Sequence, residues 1–267
     1  KEPKHLLKLS QERVLGMPYT ISEWANVLPN QWRLEAPPLM AFYGNCLNGW
    51  DAPILFALEG TTGGFTRFLK WMWPVSEPST LCQYPALSQV IRRGDVKEGD
   101  LVFARNFSEN KVFSAQPLKD VAIKLDISGP YEMSAEQGVN ARSLAAYYAA
   151  AVGKTGVRFL QGDQPDFSIG LGKHIDMQKQ EIRSATGELF WNYGKGYVTA
   201  DTPRTQAAVG FLRDVPVKLA DCEIRSSNLI ASILVTSWDG RPLKESRHIL
   251  ITAVGRVRNT DMAYSRG

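Results

Sequence analysis

A carboxylate at the end of a β-strand, with an indole beside it, is the residue pair in this sequence best suited to chemistry. The stretch is Pro18-Tyr-Thr-Ile-Ser-Glu-Trp-Ala-Asn-Val-Leu-Pro-Asn30. Tyr19 to Ser22 has strand composition, and Glu23 follows where the strand gives way to a loop. In a parallel sheet wrapped into an α/β barrel, that end of a strand is the active face, so Glu23 is a catalytic candidate. Alternation along the strand predicts Tyr19, Ile21 and Glu23 on one side. Trp24 would wall a pocket there and strengthen any charge within it. A glutamate after a strand is most often a solvated surface group, so the surrounding elements must decide between the two readings.

Other residues that invite chemistry do less well. Cys46, Cys82 and Cys222 are widely separated and odd in number, which argues against a disulfide framework or a zinc knuckle. His5, His174 and His248 stand alone, so no metal site is expected, and no cofactor either. Gly153-Lys154-Thr155 resembles the end of a phosphate loop, but that motif needs a glycine where Tyr148 stands, and it should precede a helix rather than follow one. Asp201 and Arg204 could pair catalytically, yet Asp-Thr-Pro is ordinary turn chemistry, and the turn is preferred. Arg256 and Arg258 read as a solvated face or an ion pair between domains. The net charge of +4 is mild and the basic residues are scattered; a nucleic-acid surface would need a basic stripe. No apolar run reaches the roughly 20 residues of a membrane-spanning helix.

The elements that must position Glu23 change character near residue 97. Before it, helical and strand patterns alternate. His5–Val14 predicts a helix stopped by Gly16 and Pro18, followed by the Tyr19–Ser22 strand. Pro37–Cys46 predicts a second helix. Asp51–Leu58 is a continuous apolar run of strand length, as for a strand buried on both faces, with Pro53 marking a late start or a bulge. Ser76-Glu77-Pro78 opens a helix that runs to Arg93 and stops at Gly94, with Arg92 and Arg93 complementing its dipole. Strand and helix in alternation predict an α/β parallel sheet. A (β/α)8 barrel needs eight strands and about 250 residues, and the segment 1–97 supplies two strands, so the rest of the barrel is expected outside this chain.

After residue 97, short β segments separated by turns dominate. Leu101–Phe107 and Val121–Ile127 predict strands, Asn140–Val152 an Ala-rich helix, and Leu189–Tyr193 with Tyr197–Ala200 a hairpin. The surest pairing joins Leu229–Trp238 to His248–Val257 through a turn at Asp239-Gly240, because both turn residues tolerate positive φ. The fold class expected is therefore α/β plus all-β: residues 1–97 as the last part of a (β/α)8 barrel, and residues 98–267 as a β-sandwich-like accessory domain.

Ser22-Glu23-Trp24 with Asn26 and Pro29-Asn30 resembles the seventh-strand nucleophile segment of clan A retaining glycoside hydrolases, the β-galactosidase-like and cellulase-like enzymes. Met40-Ala41-Phe42-Tyr43-Gly44 and Gly49-Trp50-Asp51 are similar to their seventh helix and the entry to the eighth strand. Gln83-Tyr84-Pro85-Ala86 with Arg92-Arg93-Gly94-Asp95-Val96 is similar to their eighth helix. Asp201-Thr202-Pro203-Arg204-Thr205-Gln206 and Val254-Gly255-Arg256-Val257-Arg258-Asn259-Thr260 resemble accessory-domain segments. The resemblance implies a double-displacement mechanism with Glu23 as nucleophile, Trp24 and Asn26 near the sugar, and an oligo- or polysaccharide substrate. It places the acid/base glutamate after an asparagine at the end of a fourth strand. No Asn-Glu pair occurs in this chain, so that residue is expected on the missing N-terminal barrel segment, and the chain alone is expected to be inactive. The eighth-strand end, Phe56-Ala57-Leu58-Glu59, lacks the sugar-stacking tryptophan of the family; Trp71 or Trp73 would serve instead. Five of the seven tryptophans lie before residue 75, a bias that suits carbohydrate binding. The rival expectation is a noncatalytic carbohydrate-binding or structural module. Neither version involves nucleic acid or membrane.

Overall fold

The computed structural model describes residues 4–25, 31–57, 77–114, 122–124 and 143–256. Helix α1 (Lys4–Leu9) runs into a 3-10 turn at Ser10–Glu12 and leads to strand β1 (Thr20–Trp24). The helix predicted over His5–Val14 ends early because its tail is drawn into strand pairing. Val157 N–H donates to Arg13 O at 2.7 Å, and Leu15 N–H donates to Val157 O at 2.9 Å.

The second helical block begins as a 3-10 turn at Gln31–Glu35 and becomes α2 (Ala36–Leu39). It then widens into a π-helix at Met40–Leu47. Both the backbone and side-chain N–H groups of Asn48 donate to Tyr43 O, at 3.0 and 2.8 Å, closing the last turn five residues back. Strand β2 (Ala52–Leu55) follows and pairs in parallel with β1, Thr20 against Ala52. The predicted Asp51–Leu58 strand thus has its core in β2, and Leu58 lies outside the described residues.

The single helix predicted to Arg93 is broken into α3 (Pro78–Leu81) and α4 (Tyr84–Arg93). Pro85 has no N–H to continue the ladder, so the helix restarts there. Gln83 fills the break, its Nε2 donating to Ser79 O at 2.6 Å and Leu34 O at 2.8 Å. Gly94 ends α4 in the left-handed conformation, φ 60°, a geometry that favours glycine at a helix stop.

Strand β3 (Leu101–Ser108) leads into α5 (Glu109–Phe113), and β4 (Ala122–Lys124) pairs antiparallel with β5 (Ser143–Ala145). The helix predicted over Asn140–Val152 is instead β5 and a 3-10 turn at Ala146–Ala151, its first residues lying outside the described set. Alanine propensity is overridden here by burial. Ala149, Ala150 and Ala151 are enclosed, and the Ala150 carbonyl accepts from Asn48 Nδ2 at 2.8 Å.

Strand β6 (Lys154–Leu160) pairs parallel with β3, whose other edge takes the short antiparallel β7 (Phe167–Ser168). Then come β8 (Ile175–Asp176), β9 (Glu181–Arg183), β10 (Leu189–Asn192), β11 (Tyr197–Asp201) and β12 (Thr205–Phe211). The hairpin β13 (Val217–Lys218) and β14 (Glu223–Ile224) precedes β15 (Ile230–Ser237) and β16 (Ile249–Val254). The order β16-β15-β12-β11-β10-β9-β8 makes one seven-stranded antiparallel sheet. Its β10–β11 pairing aligns Leu189 with Ala200, and its β15–β16 pairing aligns Ser237 with Ile249. Both predicted hairpins are present. The fold is mixed helix and sheet with this large antiparallel sheet, and among the described residues the strands close no barrel.

Period-two alternation gives the large sheet its inner face, on which Ile182, Trp191, Val198, Ala207, Val209 and Leu234 are buried. They belong to one core with Phe42, Leu47, Leu87 and Val90 from the helices and Val102, Phe103 and Tyr148 from the segment around the smaller sheet. That core therefore spans residue 97, where the sequence changes character. Part of the outer face is covered by the β13–β14 hairpin, with Val217 and Ile224 packed on Ala208 and Ala231.

The polar tie within this core is Asn48, which is fully buried and also accepts from Thr155 N–H at 3.3 Å. Asn48→Ala leaves three buried backbone groups without this partner. A destabilisation of about 2–4 kcal/mol is expected, read as a lower urea midpoint with an unchanged slope; a midpoint equal to wild type would refute the tie.

Candidate functional site

Glu23 is the penultimate residue of β1, and the strand is fixed at both ends. At its start, Tyr19 N–H donates to the Asp51 carboxylate at 2.7 Å and Asp51 N–H returns a bond to Tyr19 O at 3.0 Å. The Tyr19 hydroxyl donates to Leu9 O at 2.7 Å, and its ring meets Trp50 edge-on at 5.6 Å. Trp50 is buried over Gly44, where a Cβ would stand 2.7 Å from the indole; it is a core residue, as are Phe42 and Tyr43. At the far end, Phe56 N–H donates to Trp24 O at 2.9 Å.

Between these anchors the register slips. Ile21 faces Pro53 and Trp24 faces Leu55, so β1 carries one residue more than β2 over the same span. Pro53 has no N–H to give the ladder, and strand prolines are confined to edges and bulges for that reason. The irregularity changes the face on which side chains emerge. Tyr19, Ile21 and Trp24 are half-buried, whereas Ser22 and Glu23 are both exposed. The alternation predicted for Tyr19, Ile21 and Glu23 therefore stops at Ile21, and the carboxylate of Glu23 faces solvent at the C-terminal end of a parallel strand. The indole N–H of Trp24 is buried and makes no hydrogen bond among the described residues. Asn26, Trp71 and Trp73 lie outside the described residues.

A second polar centre, absent from the sequence expectations, sits where α4 meets the large sheet. Asp95, just after the Gly94 stop, is fully buried and engages Arg93 at 2.5 Å, Arg204 at 3.1 Å and the Thr205 hydroxyl at 2.8 Å. Arg93 also donates to Ser237 O at 2.6 Å. Beside them Glu188 accepts from Lys97 N–H at 2.7 Å and lies 3.5 Å from Lys97 Nζ. Of these residues, Asp95, Lys97, Glu188 and Arg204 line a cavity of about 280 Å³ with Gly94, Pro203, Gly240 and Pro242. Arg93 does more than complement a helix dipole, and Arg204 pairs with Asp95. Asp201 instead accepts from Ala220 N–H at 3.1 Å. The sequence signal was slight: an aspartate directly after a helix-stopping glycine.

Comparisons with family models, with curated proteins and with solved structures return no match. The candidate site rests on its own geometry. Among the described residues, no three His, Cys, Asp or Glu side chains cluster as metal ligands, and no helix is long and apolar enough to cross a membrane.

Burial, and next the charge of Glu12, push the Tyr19 phenol up from 10.0 to about 12. The neutral form is thus favoured by folding. Its contribution to stability is complete below the unfolded value near 10 and is lost as pH rises toward 12. Burial also raises Tyr43, Tyr84 and Tyr148. The protein should lose stability steeply on the alkaline side, and Tyr19→Phe should flatten the part of that loss that begins near pH 10. Thermal melts from pH 8.5 upward, spaced by about half a pH unit, measure this; identical slopes for wild type and Tyr19→Phe would contradict the assignment.

Proposed function

We propose that this chain is the C-terminal part of a retaining glycoside hydrolase and that Glu23 is its nucleophile. The observation that carries the reading is an exposed carboxylate at the C-terminal end of one of two parallel strands joined through helix, the arrangement of β1, α2 with its π-helical continuation, and β2. In a (β/α)8 barrel, catalytic side chains leave the strands at that end. On this reading residues 1–97 are the last part of such a barrel, and residues 98–267 are its β-rich accessory domain.

The chemistry is a double displacement. A Glu23 oxygen forms a bond to the anomeric carbon as the glycosidic C–O bond breaks. The departing oxygen takes a proton from a carboxylic acid about 5 Å from the nucleophile, carried by barrel strands outside this chain. Water, deprotonated by that same group, then cleaves the glycosyl ester and restores Glu23. Trp24 borders the sugar; Asn26, Trp71 and Trp73, which lie outside the described residues, are the further substrate-binding residues of this reading. The reaction uses no metal and no cofactor.

A 2-deoxy-2-fluoroglycosyl fluoride, added to the chain joined to its upstream coding sequence, traps the ester. Trypsin should release Val14–Arg33, in which Glu23 is the sole carboxylate side chain, heavier by one fluorosugar. Glu23→Ala should lose the label and about 10⁴-fold or more in kcat. A label on another peptide, or unchanged turnover, would exclude the role. A second reading, a noncatalytic carbohydrate-binding or structural module, draws on the seven-stranded sheet, which carries none of the predicted site residues. It requires glycan binding with no covalent label.

A further inference from the structure

We infer that the cavity between Gly94, Asp95, Lys97, Glu188, Arg204 and Gly240 is a binding site for one neutral polyhydroxyl ligand of monosaccharide size, a site separate from Glu23 and independent of its role. Volume sets the size. About 280 Å³ lies just below the roughly 300–1,000 Å³ of drug-sized ligand pockets, so it suits one sugar ring and greatly exceeds the ~30 Å³ of a single water.

Charge sets the class. The lining carries two cations, Lys97 and Arg204, and two anions, Asp95 and Glu188, and each is already opposed by its counterpart. An anion would have to displace Asp95 or Glu188 from its partner. A metal ion would meet an aspartate held by two guanidinium groups. Hydroxyl groups, which donate and accept at once, can join both kinds of partner without breaking either pair.

One orphaned atom lies behind the cavity wall. Asp95 Oδ1 lies 3.1 Å from Arg204 Nε but off the line of a hydrogen bond, so a completely buried carboxylate oxygen has acceptor capacity unfilled. Buried acceptors of this kind are costly unless something donates to them. Arg204 covers that oxygen, and its side chain is 38% exposed, so a ligand hydroxyl can accept from its outer nitrogens in the cavity. Pro203 and Pro242 supply apolar walls for ring C–H groups. Two glycines leave the rim unobstructed. Gly94 and Gly240 both have positive φ, 60° and 77°, and a Cβ on either would find no atom within 4 Å.

The test is a titration of the ¹⁵N-labelled 267-residue chain with D-galactose and D-glucose, and separately with inorganic phosphate. Amide shifts of Gly94, Lys97 and Gly240 are followed. Saturable shifts at these amides with at least one sugar are expected, weakened about 10-fold or more by Arg204→Lys through loss of charged hydrogen bonds. Lys97→Ala, a change at an exposed side chain, should weaken binding about 3-fold and keeps the test decisive if Arg204→Lys misfolds. In the chain joined to its upstream coding sequence, labelling at Glu23 should proceed equally with either substitution, which separates this site from the nucleophile. No saturable shift at sugar concentrations in the tens of millimolar, a response to phosphate in place of sugar, or sugar shifts indifferent to both variants would overturn the assignment.

Discussion

The structure depends on keeping buried polar backbone paired where three irregular segments meet, and Asn48 does this. Its amide joins the end of the π-helix to the Ala-rich 3-10 turn and to the first residues of β6, while Arg13 donates to its carbonyl from the segment before β1. Each of these segments ends without a regular ladder to satisfy it. A buried amide offers two donors and an acceptor in one plane, and here all three are used. The apolar core closes around this point with the Tyr43 and Ala150 carbonyls and the Thr155 N–H each paired to Asn48.

Similar ties recur wherever the helical layer meets the large sheet. Gln83 bridges the helix break to Ser232 on β15 at 2.7 Å, and Asp95 gathers Arg93, Arg204 and Thr205 from both sides. The apolar contact between the layers gives adhesion without direction; these polar bonds fix orientation. They also explain why β1 and β2, a parallel pair of only two strands, hold a defined position. Tyr19 and Asp51 clamp one end, and Trp50 beneath them is locked over Gly44.

The sequence made local elements readable and left long-range chemistry hidden. The hairpins were legible because strand alternation and turn residues act over a few positions. At Asp239-Gly240, Asp239 accepts from Ser246, Arg247, Arg241 and Ser237, which hold its carboxyl well below the usual range. The Ala-rich turn misled because propensity speaks for helix while burial and Asn48 dictate something tighter. The exposure of Glu23 followed from a register slip opposite Pro53, a pairing that no single strand announces. The Asp95 centre was invisible because Thr205 lies 110 residues away in the chain. The place of Glu23 at a strand end was legible, whereas the residues expected around it fall largely beyond the described segments.

The bond between Gln83 and Ser232 has a consequence in time. It links positions 149 residues apart, and the Arg93 bond to Ser237 spans 144. A chain emerging from a ribosome at about 5–20 residues per second completes the α3–α4 break many seconds before β15 exists. During that interval the side-chain oxygen of Gln83 lacks its Ser232 donor, and the sheet lacks the strand that carries it. Ties of such sequence separation slow folding. The bonds from Gln83 and Arg93 to the sheet can therefore form only once β15 has been made, so the helical layer is the last part of this fold to be fixed in orientation.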